Sequence, residues 1–344
     1  MEKNRLKNGK IISPNKLKIK KKFNIGIVGS GRIAEEYIKV IKSFNHKVTV
    51  IVSPSKSINA KKLSDKYNSN FSYNFQEAYN EYNEINAWII CTKWHKLKKY
   101  FLFCINEKKP FLIEKSITCN SQELKKIKKK RSKNIHIAYN RNFYDYIYFL
   151  LKKLNSNQIN YIELNIYDTY KKIIKKNGKK IEKYLEYFIS SHWLTFILKI
   201  LKVSNIKISK IRKKIINKSK FSKIYLEFEL FKDNRKFYMK YNHLPNIPLN
   251  HSIKFYFESE VIDISPIEKL SLITKIDQVK NKNQNHYKKK IQEINVDSKY
   301  KPGFRFMYYD FIKSNFFDKN SVLGTNINDL IETYKICEHI KNSR

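Results

Sequence analysis

The sequence predicts an α/β protein with two domains, a doubly wound parallel sheet followed by a second α/β domain with a mostly antiparallel, open sheet. In residues 23–142, short and fully apolar strands are separated by helices, as in a parallel sheet covered on both faces. In residues 143–344, the strands alternate apolar and polar residues and follow one another, as in an antiparallel sheet with one buried face. A glycine-rich turn near residue 30 separates the first strand from the first helix.

The first domain is predicted from its apolar runs and their spacing. The predicted strands cover residues 24–28, 47–52, 87–92, 110–113 and 135–139. The first helix is predicted because Ile33, Tyr37 and Ile41 repeat at helical spacing. The predicted helices cover residues 32–44, 58–67, 97–106 and 122–130.

The second domain opens with a helix predicted at 143–154. Strands with period-two alternation are predicted at 161–167, 223–231, 236–241 and 253–258. Amphipathic helices are predicted at 191–201 and 327–340. No Gly/Ser-rich or Pro-rich linker separates the halves, so the two domains are expected to share a tight interface.

The charge of the chain is strongly positive, with 71 Lys and Arg against 30 Asp and Glu and a formal net charge of +41. A polyanionic partner is one interpretation. Lys, Asn, Ile, Tyr and Phe are all abundant, however, as an AT-rich coding sequence produces, and the lysines are scattered along the chain. We therefore favour a solvated basic surface with no specific nucleic-acid partner.

Cysteine usage and hydropathy give expectations about the setting of the protein. Cys91, Cys104, Cys119 and Cys337 form no C-x-x-C pair, so no metal site or disulfide framework is predicted, and a reducing, cytoplasmic location is expected. Residues 1–22 are basic but lack the apolar run of a signal peptide, and are interpreted as a loosely attached extension. Residues 187–198 are too short to span a bilayer, so a soluble protein without membrane contact is expected.

The turn after the first strand carries a dinucleotide-binding fingerprint, Gly29-x-Gly31-x-x-Ala34. The chain has only 7 glycines, and Gly26, Gly29 and Gly31 lie within six residues. Glycine at the last two positions allows a tight turn and a close approach of the backbone to a pyrophosphate. The alternative is an ordinary strand-to-helix turn.

Polar residues follow five predicted strands at their carboxyl ends, where open parallel sheets bind ligands. They are Gly29, Ser53, Thr92, the pair Glu114 and Lys115, and the pair Asn140 and Arg141. A cofactor ribose is usually bound by a carboxylate at the position of Ser53. A hydroxyl there, with Lys56 nearby, favours NADP over NAD. Lysine is so frequent in this chain, however, that Lys56 alone is weak evidence.

Two residues are candidates for proton transfer. Lys115 follows an apolar strand directly, so partial burial is expected to lower its pKa into a catalytic range; the alternative is one more surface lysine. His192 lies with Thr195 and Lys199 on a polar stripe opposite Trp193. It is either a proton-transfer group or a partly buried histidine whose ring nitrogens are hydrogen-bonded within the protein. His95 carries the same two interpretations.

Together these segments resemble the glucose-fructose oxidoreductase / inositol dehydrogenase / MocA family from Phe23 onwards. The matching segments are 26–34, 90–95, 111–116, 139–141, 190–194 and 300–304, the last being similar to members encoded with surface-polysaccharide genes. The resemblance implies a Rossmann domain, an α/β domain whose open sheet forms a homo-oligomer interface (dimer or tetramer), and oxidation of a hydroxyl on a sugar, cyclitol or nucleotide-linked sugar.

The resemblance also implies roles for individual residues. Lys115 hydrogen-bonds the reacting oxygen and His192 exchanges the proton, with Asn140 and Arg141 beside cofactor and substrate. The cofactor is NAD(P), with NADP favoured. The residues assigned to it are Gly29, Ser30, Gly31, Arg32, Ile33, Ser53, Lys56, Cys91, Thr92, His95 and Glu114.

Three positions depart from the family pattern. Ser116 replaces the proline after Lys115, and Lys93 replaces a proline that is common after the pair Cys91 and Thr92. His192 lacks an acidic neighbour, with Phe188 four residues before it. Three functions therefore stay open, in this order: an NAD(P)-dependent oxidoreductase, a catalytically reduced relative that acts as a sensor or scaffold, and a polyanion-binding protein.

Overall fold

The structure is a computed structural model of the chain. It describes residues 17–53, 57–117, 119–128, 134–156, 158–201, 205–215, 222–232, 235–244, 247–281, 284–317, 321 and 323–342. The statements below refer to these residues.

The first sheet has six parallel strands. They are β1 (Asn24–Val28), β2 (Lys47–Val52), β3 (Asn70–Ser72), β4 (Ala87–Ile90), β5 (Phe111–Glu114) and β6 (Ile135–Ala138). Their order is β3-β2-β1-β4-β5-β6, so the direction of strand addition reverses between β1 and β4. This topological switch point is where doubly wound sheets open a crevice for a ligand.

Five helices accompany this sheet. They are α1 (Arg32–Ser43), α2 (Ile58–Tyr67), α3 (Phe75–Glu81), α4 (Trp94–Cys104) and α5 (Ser121–Lys128). The predicted strand at 47–52 and helix at 58–67 are confirmed at both ends. Strand β3 and helix α3 were not predicted, because three and seven residues are too short for a clear hydrophobic period.

The second half forms an eight-stranded sheet and four helices. The helices are α6 (Ile147–Ser156), α7 (Tyr170–Asn177), α8 (Leu185–Phe188) and α9 (Ser190–Leu201). The strands are β7 (Ile159–Ile166), β8 (Asn205–Ile215), β9 (Ser222–Lys232), β10 (Arg235–His243), β11 (Ser252–Phe257), β12 (Glu260–Ile264), β13 (Lys269–Asn281) and β14 (Gln284–Asn295). Their order is β14-β13-β12-β11-β7-β10-β9-β8, and every pairing is antiparallel except β7 with β10. The predicted α/β fold with a mostly antiparallel second sheet is therefore confirmed.

The last two helices, α10 (Phe304–Phe316) and α11 (Ile327–Asn342), return to the first sheet. Helix α10 packs on α1, where the Tyr308 hydroxyl lies 2.6 Å from Nδ1 of buried His46. Helix α11 packs on α5, α8 and α9. The Tyr334 hydroxyl donates to the carbonyl of Ile117 (2.9 Å), so the C-terminal end of the chain supports the loop after β5.

Two sequence expectations differ from the structure. Leu17 and Ile19 are buried, and Arg305 donates from Nη2 to the Leu17 carbonyl (3.1 Å), so residues 17–22 are not a loose extension. Residues 1–16 lie outside the described residues. The polar stripe of α9, opposite the side expected to be packed, is packed as well: Thr195 contacts Thr333 (3.1 Å) and Lys199 pairs with an aspartate of α11, while His192 lines a cleft.

Among the described residues, the helices are all too short or too polar to cross a membrane.

Candidate active site

The turn between β1 and α1 has two glycines with different requirements. Gly29 has φ +128°, and a Cβ added there would lie 2.5 Å from the Cys91 carbonyl oxygen. The tight passage of β1 past the end of β4 therefore requires glycine. At Gly31 an added Cβ would meet nothing within 4 Å. The space in front of the first turn of α1 is thus open, and a pyrophosphate group fits the arrangement.

The residues around this turn line the end of β2. Ser30 and Ser53 are joined by their hydroxyls (3.2 Å), and the Ser53 amide donates to the carbonyl of Ser72 (2.9 Å). Ser53 is buried, whereas Arg32 is exposed at the start of α1 and Ile33 is partly exposed. Lys56 lies outside the described residues.

The loops after β4 and β5 carry the residues assigned to the nicotinamide end. Glu114 accepts a hydrogen bond from the buried hydroxyl of Tyr37 (2.8 Å). Burial raises the pKa of Glu114, against the lowering effect of Lys301, Tyr37 and Lys115. Burial also raises the pKa of the Cys91 thiol, helped by the carboxylate of Glu114. Because Tyr37 is buried and donates this hydrogen bond, it fixes the position of the Glu114 carboxylate at the end of β5.

Thr92 and His95 lie at the loop that begins α4. Thr92 is partly exposed, and His95 lies in the first turn of the helix beside Trp94. Burial and then the charges of Lys96 and Lys93 lower the pKa of His95. His95 is therefore an uncharged donor and acceptor near neutral pH.

Lys115 directly follows β5 and lines a cleft. Its Nζ donates to the carbonyl of Phe188 (2.9 Å) at the end of α8. Burial, reinforced by the charge of Arg141, lowers the pKa of Lys115 to about 8, although Glu114 and Asp168 act in the opposite direction. The peptide bond between Lys115 and Ser116 is cis. The prediction of a partly buried lysine with a lowered pKa at this strand end thus agrees with the geometry.

His192 lies at the start of α9, with its ring 5.6 Å from that of Tyr139. Its Nδ1 is buried and has no hydrogen-bond partner among the described residues. Burial, and then the charges of Arg141 and Lys115, lower the pKa of His192 well below its usual value. The imidazole is therefore neutral at physiological pH, and Nδ1 is available to a ligand.

Arg141 and Asn140 follow β6 in a short 3₁₀ turn (Asn140–Phe143). The Arg141 guanidinium lies 3.6 Å from the centre of the Trp193 ring, and its Nη1 is buried without a hydrogen-bond partner among the described residues. The Asn140 side chain donates to the carbonyl of Pro302 (2.9 Å). Asn140 thereby fixes the segment that carries Lys301.

These groups meet in an open cleft of about 360 Å³. It brings together three of the residues predicted to act on substrate, Lys115, Arg141 and His192. The other residues that line it are Asp168, Lys172, Ile173, Lys176, Asn177, Phe188 and Ile189. The buried, unpartnered atoms of Arg141 and His192 fit a polar ligand in this space.

Several site residues were not predicted from the sequence. Asp168 follows β7 and lies 3.6 Å from Nε2 of His251. Lys301 lies close enough to Glu114 to affect its pKa. The segment 300–304 was noticed for its family resemblance, which was the available signal for Lys301; Asp168 had none. Among the described residues there is no cluster of three or more His, Cys, Asp or Glu that could hold a metal ion.

Fold and site together define a class of protein, an α/β protein with a Rossmann-type parallel sheet, a mostly antiparallel second sheet and a polar cleft. The match to a family model is more particular. Residues 23–139, roughly a third of the chain, match the oxidoreductase family with an NAD-binding Rossmann fold. The matched model is that of the glucose-fructose oxidoreductase / inositol dehydrogenase / MocA family, to which these residues are similar.

The fold of nearly the whole chain is shared with solved structures at low sequence identity. UDP-N-acetylglucosamine 3-dehydrogenase from Acidithiobacillus ferrooxidans aligns at 9% identity and TM-score 0.68, over 93% of this chain and 97% of that one. An Agrobacterium radiobacter oxidoreductase in complex with NAD+, L-tartaric acid and magnesium aligns at 12% and 0.72, over 94% and 97%. Biliverdin reductase from Synechocystis, in complex with biliverdin and NADP+, aligns at 12% and 0.63, over 92% and 97%.

No curated protein sequence matches the chain significantly. Because the solved structures share so little sequence, they show the fold, and their differing cofactors leave the choice between NAD and NADP to direct measurement.

Proposed function

We propose that this protein is an NAD(P)-dependent dehydrogenase or reductase that acts on the CH–OH group of a sugar, a cyclitol or a nucleotide-linked sugar. The observation that carries the proposal is the cleft in which Lys115 and His192 lie, at the carboxyl edge of the sheet that bears the dinucleotide turn. A nucleotide-linked sugar is also the substrate named for the Acidithiobacillus enzyme of the same fold.

The cofactor residues divide by position along the sheet edge. The turn Gly29 to Ile33 would hold the pyrophosphate, Ser53 and Lys56 the adenosine ribose, and the loops with Cys91, Thr92, His95 and Glu114 the nicotinamide. NADP carries a phosphate on its adenosine ribose, which a carboxylate at position 53 would repel. Ser53 has a neutral hydroxyl instead, and this supports NADP over NAD. When bound, the cofactor supplies or accepts the hydride.

The proton is handled by Lys115 and His192. A lysine with a pKa of about 8 exchanges a proton readily near neutral pH, and its Nζ reaches the cleft while bonded to the Phe188 carbonyl. Neutral His192 accepts or donates a hydrogen bond at the unpartnered Nδ1. Arg141, fixed on the Trp193 ring, and Asn140 would orient the substrate.

A catalytically reduced relative, which binds a dinucleotide or sugar nucleotide as a sensor or scaffold, is the second candidate. It is favoured by Phe188 in place of an acidic residue before His192 and by Ser116 in place of proline. Turnover of any sugar, cyclitol or nucleotide sugar by the purified protein would exclude it.

The test is a fluorescence titration with NADPH and NADH, repeated with Gly31→Asp. We expect saturable binding that the substitution abolishes, because the new carboxylate would project into the open space at the helix start. An unchanged thermal melt of the variant controls for folding. If neither cofactor binds the wild-type protein, the dehydrogenase proposal is wrong.

We also propose a homo-oligomer through the outer face of the eight-stranded sheet. Its inner face is buried in the core, while Tyr161, Tyr238 and Tyr256 lie on the other face. Light scattering of the wild-type protein and of Tyr238→Glu/Tyr256→Glu tests this: a monomeric wild type contradicts it.

A further inference from the structure

Helix α7 presents two of its four lysines to the cleft. Lys172 and Lys176 lie one turn apart and line the cleft, whereas Lys171 and Lys175 do not. Residues at i and i+4 on a helix lie side by side on one face. Lys172 and Lys176 therefore form a pair of lysines on the face of α7 that lines the cleft, together with Lys115 and Arg141.

The cleft has a large excess of positive charge. Four cations line it, against the one carboxylate of Asp168, which already faces His251 at 3.6 Å. Among the described residues, none of the four cations is within ion-pair distance of a carboxylate. Elsewhere lysines of this chain do reach carboxylates, as Lys199 reaches Asp329 at 2.8 Å. A concave surface with one sign of charge concentrates ligands of the opposite sign.

Arg141 provides an independent indication of an anionic ligand. Its guanidinium lies 3.6 Å from the centre of the Trp193 ring, and Nη1 is buried without a hydrogen-bond acceptor among the described residues. Buried N–H groups in native proteins nearly always have an acceptor, so a ligand oxygen is the natural partner. The planar fork of arginine suits the paired oxygens of a phosphate.

The size and lining of the cleft also suit a small-molecule substrate. Its volume of about 360 Å³ lies near the lower end of the range of roughly 300–1,000 Å³ that is usual for small-molecule sites. Ile173, Phe188 and Ile189 give it an apolar wall. The cleft thus combines an apolar wall with a cationic lining.

We propose that the substrate carries a phosphate ester, bound by Lys172, Lys176 and Arg141, while its reacting hydroxyl lies at Lys115 and His192. This inference rests on the proposed function and narrows its substrate class. A sugar phosphate and a sugar linked to a nucleoside diphosphate share this chemistry.

The experiment is calorimetric titration of the NADPH- or NADH-saturated protein with glucose 1-phosphate, UDP-glucose and glucose. The saturating cofactor occupies the pyrophosphate site at Gly31, so the phosphorylated ligands cannot bind there. Lys172→Gln/Lys176→Gln is compared with Lys171→Gln/Lys175→Gln, which removes the same charge from the same helix. We expect about tenfold weaker binding of a phosphorylated ligand to the first variant and less than about twofold to the second.

The two phosphorylated ligands distinguish the source of the phosphate: tighter binding of UDP-glucose indicates a nucleotide sugar, and tighter binding of glucose 1-phosphate a sugar phosphate. Equal losses in both double variants would overturn the proposal, because they would show a general field effect. Glucose binding as tightly as its phosphorylated forms, or no binding of either phosphate, would also overturn it.

Failure of the proposed function has a separate signature. If neither nicotinamide cofactor binds, the phosphates are titrated into Gly31→Asp, in which the pyrophosphate site is blocked. Discrimination between the double variants in that background supports the phosphate site while the dehydrogenase proposal falls. Absence of discrimination there overturns the phosphate site as well.

Discussion

Lys115 is the residue whose protonation sets the chemistry of the cleft. Its pKa is lowered from 10.5 to about 8 by burial, so the amine is largely neutral above that pH. In the direction of alcohol oxidation a neutral amine acts as the base. We expect kcat/KM to rise with pH and level off near pH 8. In Lys115→Arg, which stays protonated, this inflection should vanish and activity should fall by about 10²–10⁴-fold.

A control for the Lys115 prediction needs no substrate. Between pH 8 and 10.5 the unfolded chain binds a proton that folded Lys115 has lost, so raising the pH through this window favours the folded state. The melting temperature of the wild type should therefore rise relative to Lys115→Met from pH 8 to 10. A difference that stays constant would show that the lysine has an ordinary pKa.

The two turn glycines give a matched pair of substitutions. Gly29→Ala should destabilise the fold by about 1–3 kcal/mol, because its φ is positive and its Cβ would overlap the Cys91 carbonyl. Gly31→Ala should cost less than about 1 kcal/mol, because its φ is ordinary and the space is open. Thermal melts measure both. Equal destabilisation would contradict the different roles assigned to the two positions.

Residues at strand ends could be predicted from the sequence, whereas residues brought in by later packing could not. Lys115 was found because it follows an apolar strand directly. Asp168 and Lys176 reach the cleft only because the second domain folds over the sheet edge. In a chain with 71 Lys and Arg, no local pattern distinguishes a lysine of the cleft from a lysine of the surface.

At the scale of elements, the turn after β5 is held from two sides. The Ser116 hydroxyl donates to the carbonyl of Tyr187 in α8, and the Ile117 carbonyl accepts from Tyr334 in α11. These bonds anchor the turn at the position where the family pattern has proline. Helices α8 and α11 therefore position Lys115 through its neighbours.

Ser116→Ala should lower kcat with little change in cofactor affinity. The buried hydroxyl bond contributes about 0.5–1.5 kcal/mol, and the Tyr187 carbonyl keeps a second donor in Ser191. We expect a small loss of stability, a several-fold lower kcat, and partial rescue by Ser116→Thr. Steady-state kinetics with a substrate identified by screening measure the change in kcat, and a thermal melt measures the change in stability. A raised KM for the cofactor at constant kcat would argue against a positioning role.

The helices and strands that the sequence did not predict lack the local patterns on which such predictions depend. Helix α10 has Phe304, Tyr308 and Ile312 buried, but also Arg305 and Asp310, so no polar face marks its period. Strands β12 to β14 follow one another in a chain with only 7 glycines, so the glycine-containing turn sequences that usually mark a hairpin are missing. The apolar parallel strands of the first sheet do not depend on such signals, and they were predicted.

At the scale of the whole molecule, the two halves are tied together by the C-terminal helices. The Glu338 carboxylate of α11 accepts from the Ser121 amide (2.6 Å) in α5 and from the Tyr187 hydroxyl (3.2 Å) in α8. The order of the strands along the chain suggested a boundary at residue 142. The packing of α10 and α11 crosses this boundary. Helices from the C-terminal part of the chain therefore pack on α1 and α5, two of the helices that accompany the first sheet.

The net charge of +41 should make the stability of this assembly depend on salt. Like charges repel more strongly in the compact state than in the expanded chain, and salt screens them, with a Debye length of about 10 Å at 0.1 M. Raising NaCl from about 20 to about 300 mM should therefore raise the melting temperature, by about 2–4 °C for each kcal/mol of repulsion removed. Sucrose at equal osmolality controls for solute exclusion.

The same titration separates a basic surface from a dedicated polyanion site. Binding to heparin through a diffuse charge should weaken steeply over this salt range and leave NADPH affinity unchanged. A heparin complex that persists at the higher salt, and that competes with NADPH, would instead favour the polyanion-binding function. A melting temperature that falls with added NaCl would show that the ion pairs of the fold outweigh its repulsion.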